Sequence, residues 1–331
     1  MKELIRELTQ AFGPSGSEAP VRETIDTLIR PLVKEVRTDA LGNLIAFRPG
    51  TGSGKRVMLA AHMDEIGVIV TAIDDKGFLR FSNIGGVNAL ALIGTRVVFA
   101  GGAAGVIGSE PVDELKDLKL EKLFIDVGAS SRAAAEKQVG IGDMAAFHGP
   151  FQDLGDRVVA KAMDDRIGCA ILVQALRELQ DSPHHLIAVF TVQEEVGLRG
   201  ARTSAYGAEP DVGIALDVTR VGDTPKSRTM EVSMGKGAAI KVKDASLICH
   251  VGLRRHLVEV AKAHQIPYQL EVLERGGTDA SSIQMARSGV PAGVISIPSR
   301  YIHTPSEMVD MADVRSCVQL VVKTLEGPID L

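Results

Sequence analysis

Two adjacent acids, Glu194 and Glu195, follow the apolar run Leu186 to Val192 with only Gln193 between. A buried strand that ends in two charges must pair, hydrate or metallate both, since an unpartnered buried carboxylate costs roughly several kcal/mol or takes up a proton. A cation is one solution. With Glu195 on a metal and Glu194 facing a metal-bound water, the pair makes a Lewis-acid hydrolase site with its own general base. The competing explanation is a solvated surface pair, so the remaining polar strand ends decide between them.

Four other places repeat the pattern. The run Arg56 to Ala61 ends at His62, with Asp64 able to orient its imidazole. Asp164 and Asp165 precede a helix marked by Ile167, Ile171, Leu172, Ala175 and Leu176, so one acid can cap it while the other binds. The run Asp211 to Leu216 leads to Asp217, and Gly293 to Ile297 leads to His303. Ligands of open α/β sheets bind at the carboxyl ends of strands. A doubly wound sheet therefore brings His62, Asp164, Glu195, Asp217 and His303 to one edge, with Glu194 and Asp64 beside them. Two imidazoles and three carboxylates suit two borderline divalent cations, one carboxylate bridging, better than calcium or magnesium. Zinc is expected, and cobalt and manganese share the same ligands. Such a pair can activate a water and polarise a carbonyl while the base carries a proton to the leaving amine.

The elements that must position these groups form an α/β framework. At 331 residues the chain exceeds what one core usually supports, so two domains are expected. Residues 1 to 12 and 18 to 34 read as helices, and 36 to 47 as strands around the turn at Ala40 to Asn43. From Gly67 to Val158 the texture changes to short β-like runs separated by glycine turns, with one helix near Ser131 to Gln138. This predicts a small β-barrel or sandwich, residues 67–158, inserted into a catalytic domain made of 1–66 and 159–331. The insert contains few candidate catalytic groups and reads as an oligomer contact or a wall of the cleft.

The bulk properties narrow the class. A net charge of -5 offers no basic footprint for nucleic acid or an anionic membrane. The three cysteines, Cys169, Cys249 and Cys317, lack the spacing of a zinc knuckle or disulfide framework and read as reduced core residues. The charged start, Met1 to Glu7, lacks a signal peptide's apolar core, and a cytoplasmic location is expected.

As a set, six stretches resemble the TET-type dinuclear aminopeptidases, a family of glutamyl, leucyl, lysyl and deblocking enzymes, some of which carry an endoglucanase label. They are Ala60 to Gly67 (AAHMDEIG), Lys161 to Gly168 (KAMDDRIG), Phe190 to Gly200 (FTVQEEVGLRG), Ala215 to Thr219 (ALDVT), Gly277 to Ala280 (GTDA) and Arg300 to Pro305 (RYIHTP). The resemblance implies that Asp164 bridges two metals, with His62 and Asp217 completing one site and Glu195 and His303 the other. It implies Glu194 as general base, Asp64 as the residue orienting His62, and residues near 67 to 158 as a dimerisation domain whose dimers can build a tetrahedral dodecamer. Thr304 stands where the family's histidine motif has serine and keeps the hydroxyl.

The leading expectation is a metal-dependent aminopeptidase acting on short peptides. A glycoside hydrolase using Glu194 with a second carboxylate is the alternative, but the chain has no tryptophan and only 4% aromatic residues to stack sugars, and two histidines would have no role. A non-catalytic metal-binding scaffold would have no use for Glu194.

Overall fold

The computed structural model describes residues 1–331. The apolar stripes at the start fold as helices α1 (Lys2–Gln10) and α2 (Ala19–Ile29), the second closed by a 3-10 turn at Arg30–Leu32. Strands β1 (Glu35–Thr38) and β2 (Leu44–Arg48) pair around a turn in which the Asp39 carboxylate accepts from the amides of Leu41, Gly42 and Asn43. Strand β3 (Arg56–His62) then enters the centre of the large sheet, paired in parallel on both sides.

The chain next leaves that sheet to close a six-stranded barrel. Its strands are β4 (Gly67–Ile73), β5 (Leu79–Ile84), β6 (Arg96–Phe99), β7 (Ala104–Ser109), β8 (Leu123–Asp126) and β9 (Met144–Phe147), in the ring order β4-β5-β8-β7-β6-β9. Alternating residues such as Val68, Val70, Leu79, Phe81, Ile107 and Ile125 fill the interior. Closure removes the unpaired edges that an open sheet of such short strands would expose, so the barrel form holds of the two the sequence allowed. Helices α3 (Ala89–Leu92) and α4 (Arg132–Ala135) are single turns; the helix expected over 131–138 is thus mostly loop.

The large sheet resumes at β10 (Gln152–Asp153) and β11 (Arg157–Ala160), several residues before the 158/159 junction expected from texture. There follow α5 (Met163–Glu178), β12 (His185–Thr191), α6 (Arg199–Ala208), β13 (Val212–Thr219) and β14 (Ala238–Lys243). The chain ends with α7 (Val251–Ala263), β15 (Tyr268–Val272), α8 (Asp279–Gln284), β16 (Ala292–Arg300), β17 (Glu307–Asp310) and α9 (Met311–Glu326). The sheet runs β1-β2-β12-β3-β13-β16-β17-β11-β10, with β14 and β15 joined beside β16; its core, β12-β3-β13-β16, is parallel.

Alternation along these buried strands feeds two layers. Val57, Leu59 and Ala61 of β3, with Leu186, Ala188 and Phe190 of β12, pack on the side of α1, α2, α5, α7 and α9. Met58 and Ala60, with Ile187 and Val189, pack on the side of α6 and α8. The expected doubly wound α/β domain with an inserted barrel is the observed architecture. No helix is long and apolar enough to cross a membrane.

One buried cation fastens the N-terminal segment to β3 and α5. Arg166, fully buried, donates to the carbonyls of Met63 (2.6 Å), Leu8 (2.7 Å) and Ala11 (3.1 Å) and lies 3.3 Å from Glu65, which also binds Lys161 Nζ at 2.7 Å. Replacing Arg166 by Met keeps the apolar stem but strands these acceptors. We expect Arg166→Met to lower unfolding free energy by about 3–5 kcal/mol, read as a lower urea midpoint at unchanged slope. An unchanged midpoint would contradict this account of the joint.

Candidate active site

The sequence-derived groups converge at the carboxyl ends of β3, β12, β13 and β16. His62 is the last residue of β3, Glu194 and Glu195 lie just beyond β12, and His303 lies in the turn after β16. Asp217 differs from expectation in sitting inside its strand, because β13 continues to Thr219. Asp164 occupies the irregular entry to α5 (φ -77°, ψ 104°). Its two carboxylate oxygens face different imidazoles: Oδ1 is 3.0 Å from His62 Nε2 and Oδ2 is 3.2 Å from His303 Nε2. Ligand atoms of His62, Asp164 and Glu195 lie within 4.8 Å of one another, as do those of His62, Asp165 and Asp217. Glu195 Oε1 is 3.3 Å from His303 Nε2, and Glu194 Oε2 is 3.9 Å from His62 Nε2.

The supporting contacts divide the Asp164–Asp165 pair by role. Asp165 turns inward, accepting from Gly168 N (3.0 Å), where it caps α5, and from His62 N (3.2 Å). That leaves Asp164 facing the imidazoles. Asp64 lies 3.5 Å from His62 Nδ1, while its carboxylate accepts from the amides of Glu194 (3.0 Å) and Glu195 (3.2 Å) and from the Ser15 hydroxyl (2.6 Å). It thus ties β3 to the loop after β12 as well as facing the ring. Ser15 carries no motif in the sequence, since only the fold brings the N-terminal loop beside β3.

The electrostatics are those of a cation site. Seven carboxylates, those of Asp64, Asp164, Asp165, Glu194, Glu195, Asp217 and Asp279, crowd two imidazoles, and their side chains are almost wholly withdrawn from water. Burial first, and then neighbouring acids, push Glu194 and Asp217 well above the usual carboxylate range. Burial opposes the charged form of His303, yet Asp164 and Glu195 drive its pKa up to about 11. Burial likewise opposes ionisation of Asp164, but the two imidazoles hold it below the usual range. Asp279 Oδ1 is buried without a hydrogen-bond donor, and Glu195 Oε1 has only the His303 ring, at 3.3 Å. Under-satisfied acceptors among mixed nitrogen and oxygen donors fit divalent cations of the zinc type.

The barrel reaches this site with two glycines whose approach leaves no room for a side chain. A Cβ on Gly85 would lie 2.9 Å from Glu195 Oε2, and one on Gly86 would lie 2.8 Å from His303 Nδ1. A cavity of about 930 Å³ opens from Asp164, Glu194, Glu195, Asp217 and His303 toward the loops after β13 and β15. The Thr304 hydroxyl donates to Tyr301 O (2.7 Å) and accepts from Ser306 N (3.2 Å), shaping the His303 turn in a way serine could also serve.

The chain matches the model of the M42 glutamyl aminopeptidase family over residues 42–320. A protein of Acetivibrio thermocellus with an aminopeptidase name is 51% identical over 326 residues, 98% of each chain. The solved aminopeptidase APDkam598 of Desulfurococcus kamchatkensis superposes with a TM-score of 0.95 at 43% identity, covering 99% of this chain and 94% of that one. The Pyrococcus horikoshii TET1 peptidase, described as assembling into a tetrahedron or a large octahedral shell, gives 0.87 at 34% identity over 98% of both chains. The family match overturns the glycoside-hydrolase alternative and leaves no place for a non-catalytic scaffold. The chain belongs to the M42 glutamyl aminopeptidase family and is a peptide hydrolase.

Proposed function

We propose that this protein removes amino-terminal residues from short peptides with two divalent ions and a glutamate base. The observation that carries this reading is the split of Asp164, one oxygen toward each imidazole. His62, Asp217 and Asp164 would hold one ion, and Glu195, His303 and Asp164 the other. Zinc is the first candidate for this donor set, with cobalt and manganese as the alternatives. Ions bound there supply Lewis acidity for the peptide carbonyl and lower the pKa of a water.

The chain's own groups do the rest. Glu194 is the general base that takes the water's proton and returns it to the leaving amine; burial raises its proton affinity. Asp64 keeps Glu194 and Glu195 apart by holding both their amides and orients His62. In the turn after β12 the two side chains diverge, Glu194 toward His62 (3.9 Å) and Glu195 toward His303 (3.3 Å), so one acid can bind an ion while its neighbour faces the water. The cavity beside them has room for a short peptide.

We further propose that residues 67–158 act as a dimerisation domain, and that dimers build a closed shell such as the tetrahedron described for the Pyrococcus horikoshii enzyme. In this reading 1–66 and 159–331, together with β10 and the start of β11, form the catalytic domain, and Gly85 and Gly86 make the barrel part of the site's wall. A cytoplasmic location suits three buried, unpaired thiols.

Glu194→Gln keeps shape but removes the base, and should lose about 10²–10⁴-fold in turnover with both ions retained. Glu195→Gln should instead weaken one ion. Chromogenic aminoacyl substrates and elemental analysis read the two effects; Glu194→Gln at the wild-type rate with full occupancy would refute the base assignment. Gly86→Ala should displace the His303 imidazole and cost up to about 10²-fold in turnover, with secondary structure by circular dichroism unchanged. Wild-type turnover in Gly86→Ala would mean the ring can yield to the methyl without consequence.

A further inference from the structure

Glu307 is the first residue of β17, 1% exposed, and plays no part in the chemistry above. Its register partner on β11 is Ala160, four residues before Asp164, and it follows His303 by four residues. The side chain spans both segments. Oε2 accepts the amide of Asp164 at 2.8 Å, and Oε1 accepts the amide of His303 at 2.7 Å. Neither amide lies in regular backbone: Asp164 departs from helical angles at the mouth of α5, and His303 has φ +64°. A buried amide without an acceptor is costly, so both depend on this one carboxylate.

The same two residues meet again through their side chains, at 3.2 Å between Asp164 Oδ2 and His303 Nε2. Glu307 therefore holds the main chains while their side chains face each other in the site. We infer that Glu307 is a positioning residue that fixes the separation of Asp164 and His303 and so sets the affinity of the ion shared by them. This rests on the proposed two-ion reading. Glutamate suits the role because both of its oxygens accept. Glutamine offers one acceptor and turns an NH₂ group toward the other amide, and aspartate is one methylene too short to keep both bonds.

Asp313 gives a matched control. It is also buried and also accepts two main-chain amides, those of Gly235 and Gly237 at 2.6 Å each, but it lies outside the cluster around Asp164. The test is calorimetric titration of cobalt(II) into chelator-stripped full-length protein, followed also by the cobalt visible spectrum. Wild type should bind two ions. In Glu307→Gln one of them should bind about 10–100-fold more weakly, the usual effect of losing such a support, with an altered spectrum. Asp313→Asn should bind both as wild type does, whatever its stability. If Glu307→Gln does not fold, Glu307→Asp takes its place with the same expectation. Wild-type affinity for both ions in the folded variant overturns the inference, as does equal weakening in Asp313→Asn, or failure of both Glu307 variants to fold while Asp313→Asn folds. Wild type binding fewer than two ions would instead overturn the two-ion reading on which the inference stands.

Discussion

Negative charge is buried in surplus at the strand ends, and the contacts around the site answer to it. Asp164, Glu194, Glu195, Asp217 and Asp279 are withdrawn from water around His62 and His303, with Lys241 adding a positive charge near Asp217. Without cations such a cluster must bind protons, and the upward displacement of Glu194 and Asp217 is the sign of that demand. A fold can hold these acids together only if the surroundings fix them against repulsion. The parallel strands do so from below, and the contacts of Asp64, Asp165 and Glu307 do so through main-chain amides.

Those amide contacts make the site a junction between distant parts of the chain. Asp64 joins β3 to the loop after β12 and, through Ser15, to the N-terminal segment that Arg166 locks in place. The barrel adds Gly85 and Gly86. An insertion whose sequence contains few catalytic groups thus contributes shape: its backbone comes close enough to Glu195 and His303 that even a methyl group would collide. Catalytic architecture and insert are therefore one packing problem.

Much of this was legible in the sequence because strand-end chemistry has a local signature. An apolar run followed by His62, or by Glu194 and Glu195, marks both the strand and the edge at which its polar residues emerge. The short β-like runs separated by glycine turns between Gly67 and Val158 marked the barrel as well. Local pattern failed where tertiary approach decides. Asp217 looked like a residue beyond its strand, but β13 continues through it because Val218 and Thr219 are buried as well. Whether Asp164 or Asp165 capped α5 depended on which carboxylate found Gly168 and His62 amides. Ser15, Gly86 and Glu307 had no signal at all, since each acts on a residue brought near it only by folding.

The proposed mechanism stands on Asp164 being shared by two ions. Diffraction from crystals of the zinc-loaded protein, measured at the zinc absorption edge, tests it most directly. Two anomalous peaks per chain are expected, one beside each Asp164 oxygen, with His62 and Asp217 at the first and Glu195 and His303 at the second. A single peak, or peaks elsewhere in the chain with none at Asp164, would contradict it.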